Sequence, residues 1–168
     1  SAFFIGTEHS GLYRYVPSTN SFKEILLSGD ELSLTITSLK SRGDQLWIGT
    51  LNGVYKMNVE TEGIVSFNVS SGLSHNSVGD VLITNFGDVF IGARSAFLNK
   101  FNDGIFEKIR LTPEYEIVTV NKLIESSDGA IWISTSDNGV FRVGKNIINI
   151  SVVDGLASNY CFGIEQDA

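Results

Sequence analysis

Four short apolar runs with the same grammar recur along this chain at nearly constant spacing. Phe3-Phe4-Ile5-Gly6-Thr7, Leu46-Trp47-Ile48-Gly49-Thr50, Val89-Phe90-Ile91-Gly92-Ala93 and Ile131-Trp132-Ile133-Ser134-Thr135 place Ile5, Ile48, Ile91 and Ile133 43, 43 and 42 residues apart. An apolar-aromatic-apolar run closed by a small residue suits a buried strand. The ring fills space between layers, and the glycine or serine lets a neighbouring backbone come close. A fixed period of about twenty to fifty residues marks a solenoid, a propeller or an array, and the content of one period separates them.

That content is strand and turn. In the third period, strands are expected over 78–84, 89–93, 97–101 and 104–111, joined by Asn85-Phe86-Gly87-Asp88 and Arg94-Ser95-Ala96. The second period repeats this over 36–40, 46–50, 53–57 and 63–69, and the fourth over 118–125, 131–135, 140–143 and 147–152. The Asp-Gly, Asn-Gly and Gly-Asp pairs supply the positive φ that tight hairpins need. Four-stranded antiparallel meanders at this period predict an all-β fold, a β-propeller. A β-helix would show shorter periods, and helical repeats a 3.6-residue rhythm, which is missing.

The ends are staggered. The chain opens on the second strand of a blade (3–7, then 11–15 and 22–27) and ends on Gly155-Leu156-Ala157-Ser158-Asn159-Tyr160-Cys161, which matches Gly72-Leu73-Ser74-His75-Asn76-Ser77-Val78 at a distance of 83 residues. One partial propeller is therefore expected, with repeats over about 1–35, 36–77, 78–117 and 118–160 and a final strand over 161–168. It amounts to about four blades' worth, and a chain that starts inside a repeat is expected to be cut from something longer. Exposed edge strands at both ends are adhesive. They predict closure within one chain or a homodimer formed by exchange of edges.

Composition bounds the function. The 168 residues carry 17 glycines, 2 prolines and a net charge of −7, with no cluster of lysine and arginine, so no nucleic-acid partner is expected. No stretch is long and apolar enough for a membrane span; a membrane would be reached only through parts outside this chain. The one cysteine, Cys161, aligns with the apolar Val78 and reads as a buried thiol.

The residues also resemble a known family. Gly72-Leu73-Ser74-His75-Asn76-Ser77-Val78, an apolar strand, a glycine turn, Trp-Ile-Gly-Thr at 47–50 and Gly-Leu-Tyr-Arg-Tyr at 11–15 are similar to the two-component-regulator propeller repeat. The resemblance covers the whole chain. It is strongest over 46–56 and 129–142 and weakest in the third repeat, where Phe90 stands for Trp and Ala93 for Thr. It implies a periplasmic seven-bladed propeller, often in tandem, in the sensor region of a hybrid histidine kinase of Bacteroides-type bacteria. It further implies sensing of oligosaccharides. A seven-bladed ring at this period needs about 300 residues.

Candidate ligand-binding residues follow from loop placement. In a meander blade the loop between second and third strands opens on the same rim as the entry to the next blade, and loops on a rigid scaffold carry function. This gathers Glu8, His9, Asn52, His75, Asn76, Arg94, Asp137, Asn138 and Asn159 on one rim. Arg94 breaks the repeat with a fork of donors able to grip a carboxylate or sulfate, although a solvated loop arginine is the favoured reading of such a residue. Trp47, Trp132, Phe4 and Phe90, equivalent in every repeat, read as inter-blade packing rather than sugar stacking. Two distant histidines give no zinc site, the Asp-Gly turns lack calcium-loop spacing, and no metal or cofactor is expected.

Three functions compete. A non-enzymatic sensory or ligand-binding propeller leads, its partner a small molecule, in the family's case an oligosaccharide. A protein-interaction scaffold would use the rim or the blade edges. A propeller lyase or glycoside hydrolase would need paired carboxylates or a histidine-acid pair, for which Glu8, His9, His75 and Asp137 are the rim candidates.

Overall fold

A computed structural model describes residues 2–167. Ser1, at the start of the first expected repeat, and Ala168, at the end of the expected final strand, lie outside them. The fifteen strands fall into four antiparallel sheets. The first blade has three strands, β1 (Phe3–Gly6), β2 (Leu12–Val16) and β3 (Ser21–Ile25). The second has β4 (Ile36–Arg42), β5 (Gln45–Thr50), β6 (Gly53–Asn58) and β7 (Ile64–Phe67). The third has β8 (Val78–Ile83), β9 (Val89–Ala93), β10 (Phe97–Asn102) and β11 (Ile105–Arg110). The fourth has β12 (Val120–Glu125), β13 (Ile131–Thr135), β14 (Val140–Val143) and β15 (Ile147–Ile150). Each sheet is ordered as the chain runs, so each is a meander, and the first strands β4, β8 and β12 of successive blades lie beside one another.

The sheets are held together face to face. Leu12, Ile48, Tyr55 and Met57 fill the space between the first and second blades. Trp47, Leu73, Val81, Ile91 and Phe106 fill the next junction, and Leu98, Leu123, Ile133 and Phe141 the one after. Fully burying one such side chain is worth about 1.5–3 kcal/mol. Trp47 is 3% exposed and packs edge-on against Phe101 of the following blade, with ring centroids 4.8 Å apart.

The aromatic of each repeat faces a cation across the ladder: Phe4 opposite Arg14, Trp47 opposite Lys56, Phe90 opposite Lys100 and Trp132 opposite Arg142. Lys56 Nζ lies 5.7 Å from the Trp47 ring centre and Lys100 Nζ 5.6 Å from that of Phe90. The long aliphatic stems roof the rings while the charges reach water or an acid, as Lys100 does at Asp88.

Two 3-10 turns, Val69–Ser71 and Val152–Asp154, stand where the sequence suggests the tails of strands. The Asn68 side chain caps the first, the Ser151 amide and hydroxyl donate to Asp154 of the second, and Gly72 and Gly155 end them at φ of 98° and 103°, a left-handed backbone that favours glycine.

The expected final strand is corrected. Residues 161–167 form no strand, because a propeller's first strand pairs with the second strand of its own blade, and no such partner lies among the described residues. The segment is tethered to the fourth blade instead. The Cys161 amide donates to the Thr135 carbonyl at 2.8 Å, Asn121 Nδ2 donates to the Cys161 carbonyl at 2.8 Å, and the Ser127 amide donates to Gln166 Oε1 at 2.7 Å. Cys161 is half-buried rather than buried. No ladder joins this segment to β1, so closure within the chain is not seen among the described residues.

Candidate functional site

The rim is built by a repeated device. The first strands carry a register shift at the same place, between Ile36 and Ser38, Val78 and Asp80, and Val120 and Lys122. Such a bulge lifts one residue out of the ladder; here Thr37, Gly79 and Asn121 are lifted. Opposite them, the threonine that closes each strong repeat locks its hairpin. Thr7, Thr50 and Thr135 donate Oγ1 to the carbonyls of Gly11, Gly53 and Gly139 at 2.8, 2.9 and 2.8 Å.

The third blade lacks this lock, because Ala93 replaces threonine. Its loop takes another path. The Arg94 amide donates to the Ser77 carbonyl at 2.9 Å and Arg94 bridges Thr119 of the next blade's entry. Ser95 Oγ donates to Ser74 Oγ at 2.7 Å, and buried Asn99 donates to Ser74 Oγ at 2.8 Å while accepting from the Ser74 amide at 2.9 Å. The outcome is a rim cavity of about 260 Å³ between the second, third and fourth blades, lined by the three bulges together with Leu51, Ser77, Arg94 and Thr119.

The candidate rim residues divide by what their side chains do. Arg94 is exposed and lines this cavity. Asn76 Oδ1 accepts from the Val69 amide at 2.9 Å, and Asn159 Oδ1 from the Val152 amide at 2.9 Å, so both hold the 3-10 turns in place. Asn52 links Asp30 to Asn76 at 3.1 and 3.2 Å. Asn138 is buried, and its carbonyl accepts from Asn149 Nδ2 at 2.7 Å. His75 Nδ1 accepts from the Ser77 amide at 2.9 Å, which leaves Nε2 to carry the proton of the neutral ring. Glu8 and His9 face each other at 3.8 Å on the first blade, and Asp137 is exposed on the fourth. No group of three or more histidine, cysteine or acidic side chains is placed to hold a metal among the described residues.

One group escaped the sequence reading. Asp80, on β8, is 5% exposed and joins three blades. Its Oδ1 accepts from Ser38 Oγ at 2.6 Å, and its Oδ2 accepts from the Leu123 amide at 2.9 Å and faces Lys122 Nζ at 3.4 Å. Ser38, Asp80 and Lys122 each directly follow the register shift of their strand.

A larger cavity, about 540 Å³, lies elsewhere, between Trp132, Asp128 and the segment 164–167. Its floor is the ring that Trp47 and Phe90 bury against a following blade.

No protein-family model matches the chain, and no curated protein does. Solved structures do. The extracellular domain of the putative hybrid two component system BT4673 from B. thetaiotaomicron is 22% identical over 89% of this chain, with a TM-score of 0.76. The corresponding domain of BT3049 from the same organism is 18% identical over 99% of the chain, with a TM-score of 0.59. Virginiamycin B lyase from Staphylococcus aureus is 13% identical over 89%, with a TM-score of 0.73. Together with the meander sheets, these likenesses define an all-β chain of the β-propeller class. The chain spans 20% of the BT4673 domain and 29% of the BT3049 domain.

Proposed function

We propose that this chain is part of a sensory propeller on the periplasmic side of an inner-membrane two-component sensor, binding a small molecule, an oligosaccharide, at its rim. The observation that carries this reading is the cavity shared by three blades, in a fold common to the extracellular domains of two putative hybrid two-component systems. Ligand contacts spread over several blades would favour one blade arrangement over another. A rigid-body shift of the propeller then passes toward a histidine kinase elsewhere in the longer protein.

We take the role to be non-enzymatic. Glu8 and His9 sit on the first blade, His75 spends Nδ1 on a backbone amide, and Asp137 sits on the fourth. Screening a panel of neutral and acidic oligosaccharides for a rise in melting temperature tests the proposal. A saturable rise supports it. Breakdown of any of them, abolished by substituting rim residues, would make the chain a lyase or hydrolase instead.

A scaffold role is favoured by one observation, the edge of β1, which pairs with β2 alone among the described residues and leaves Phe3 60% and Ile5 40% exposed. On that reading the partner is a second copy, whose segment 161–167 adds to β1. Light scattering would then report twice the 18.3 kDa of one chain.

A further inference from the structure

We infer that the rim cavity takes the acidic end of a saccharide, a sugar ring bearing a carboxylate or sulfate, with Arg94 as its anion clamp. The inference rests on the rim being a ligand site and adds the ligand's charge and size.

Of the five arginines, four are engaged. Arg14, Arg110 and Arg142 pair with Glu62, Glu116 and Asp128, and Arg42 donates to the carbonyls of Thr84 and Asn85. Arg94 alone has no side-chain partner among the described residues, and no carboxylate lines its cavity. In a chain of net charge −7, an arginine facing a pocket without acids is a local reversal of the field. Its planar fork matches a carboxylate or sulfate through two parallel hydrogen bonds.

The backbone beneath it is fixed on both sides, to Ser77 and to Thr119, so little ordering remains to be done on binding. Around it, the hydroxyls of Thr37, Ser77 and Thr119 make no hydrogen bond to another of the described residues, and Leu51 supplies an apolar wall. Free hydroxyls beside one cation suit a polyol carrying one negative group. At about 260 Å³ the cavity falls below the roughly 300–1,000 Å³ of sites that enclose drug-sized ligands. It holds one terminal ring, with the remainder of an oligosaccharide outside.

The test is titration of the isotope-labelled chain with glucuronate, glucose 6-sulfate, glucose and inorganic sulfate, following the amides of Ser77, Arg94 and Thr119. Both acidic sugars are expected to shift these amides and to saturate. Arg94→Ala should weaken them by about tenfold to a hundredfold, the loss of a charged hydrogen-bonded pair. An exposed side chain without partners leaves the melting temperature unchanged when removed, which separates lost binding from lost folding. Glucose binding as tightly as glucuronate, unaffected by Arg94→Ala, would overturn the anion clamp and leave the rim-ligand reading intact. Sulfate binding as tightly as the acidic sugars would overturn the saccharide assignment. Failure of all four probes to move these amides would overturn the inference, while the oligosaccharide screen still tests the wider reading.

Discussion

The hydroxyl of Ser38 donates to the buried carboxylate of Asp80 across the junction of the second and third blades, at 2.6 Å. The other oxygen of Asp80 accepts the Leu123 amide of the fourth blade, so one side chain spans three sheets. This is a polar counterpart of the apolar packing between blades, placed at the first strands, close to the rim cavity.

Removing that carboxylate leaves the Leu123 amide without an acceptor, the Ser38 hydroxyl with nothing to donate to and only the Val81 amide donating to it, and Lys122 without its counter-charge. Asp80→Ala is expected to destabilise the chain by about 2–4 kcal/mol. Asp80→Asn keeps one acceptor and should lose less. Urea midpoints of the two variants, at unchanged slope, check the ordering.

Gly92 lies beneath Val120 of the next blade, where a Cβ would fall 2.4 Å from Val120 Cγ1. Gly6 meets Ile36 in the same way, also at 2.4 Å. Ser134 holds the equivalent place in the fourth blade, where no β-branched residue follows; it is buried with its hydroxyl unpartnered. Gly92→Ala should therefore cost about 1–3 kcal/mol by overpacking. The double variant with Val120→Ala should cost less than the two single losses added together, a coupling that a thermodynamic cycle measures.

The two tryptophans should report different environments. Trp47 is closed in by Phe67 and Phe101, and Trp132 borders an open cavity of about 540 Å³. Acrylamide should quench Trp132 in preference, so that Trp132→Phe removes most of the quenchable emission. Trp47→Ala should destabilise by about 3–5 kcal/mol, the usual loss for a large aromatic in a packed core.

Hydrogen bonding from Ser126, supported by the Arg142 guanidinium, holds the Asp128 carboxyl down at about 2, below its ordinary 3.8. A depressed folded pKa contributes stability that is present above the unfolded value and lost as the pH falls through about 2. Asp128 is exposed, so the contribution is small. Ser126→Ala and Arg142→Gln should each raise the Asp128 pKa toward the ordinary value, read by the carboxyl carbon shift across an acid titration.

The fifteen strands were legible because turn chemistry and the 43-residue period say the same thing four times over. The segment after Cys161 was not, since a strand needs a ladder partner and the period counts residues without counting partners. Asn76 and Asn159 looked like rim ligands because they are polar loop residues. Their recurrence at matching places, each beside a Gly-Leu pair, was the sign that they brace 3-10 turns. Asp80 could not be found by pattern alone, because its partners lie 42 and 43 residues away in neighbouring blades. Arg94 stood out for the opposite reason. The repeat fails at Ala93, and the loop that follows is free to build something else.

The location of ligand binding is tested most directly by amide hydrogen exchange, with and without the disaccharide that most raises the melting temperature. Slowed exchange is expected around Ser77, Arg94, Thr119 and Asn121, with the outer strands β3, β7, β11 and β15 unchanged. Protection confined to β1 or to residues 160–167 would contradict it and make the blade edges, not the rim, the working surface of this chain.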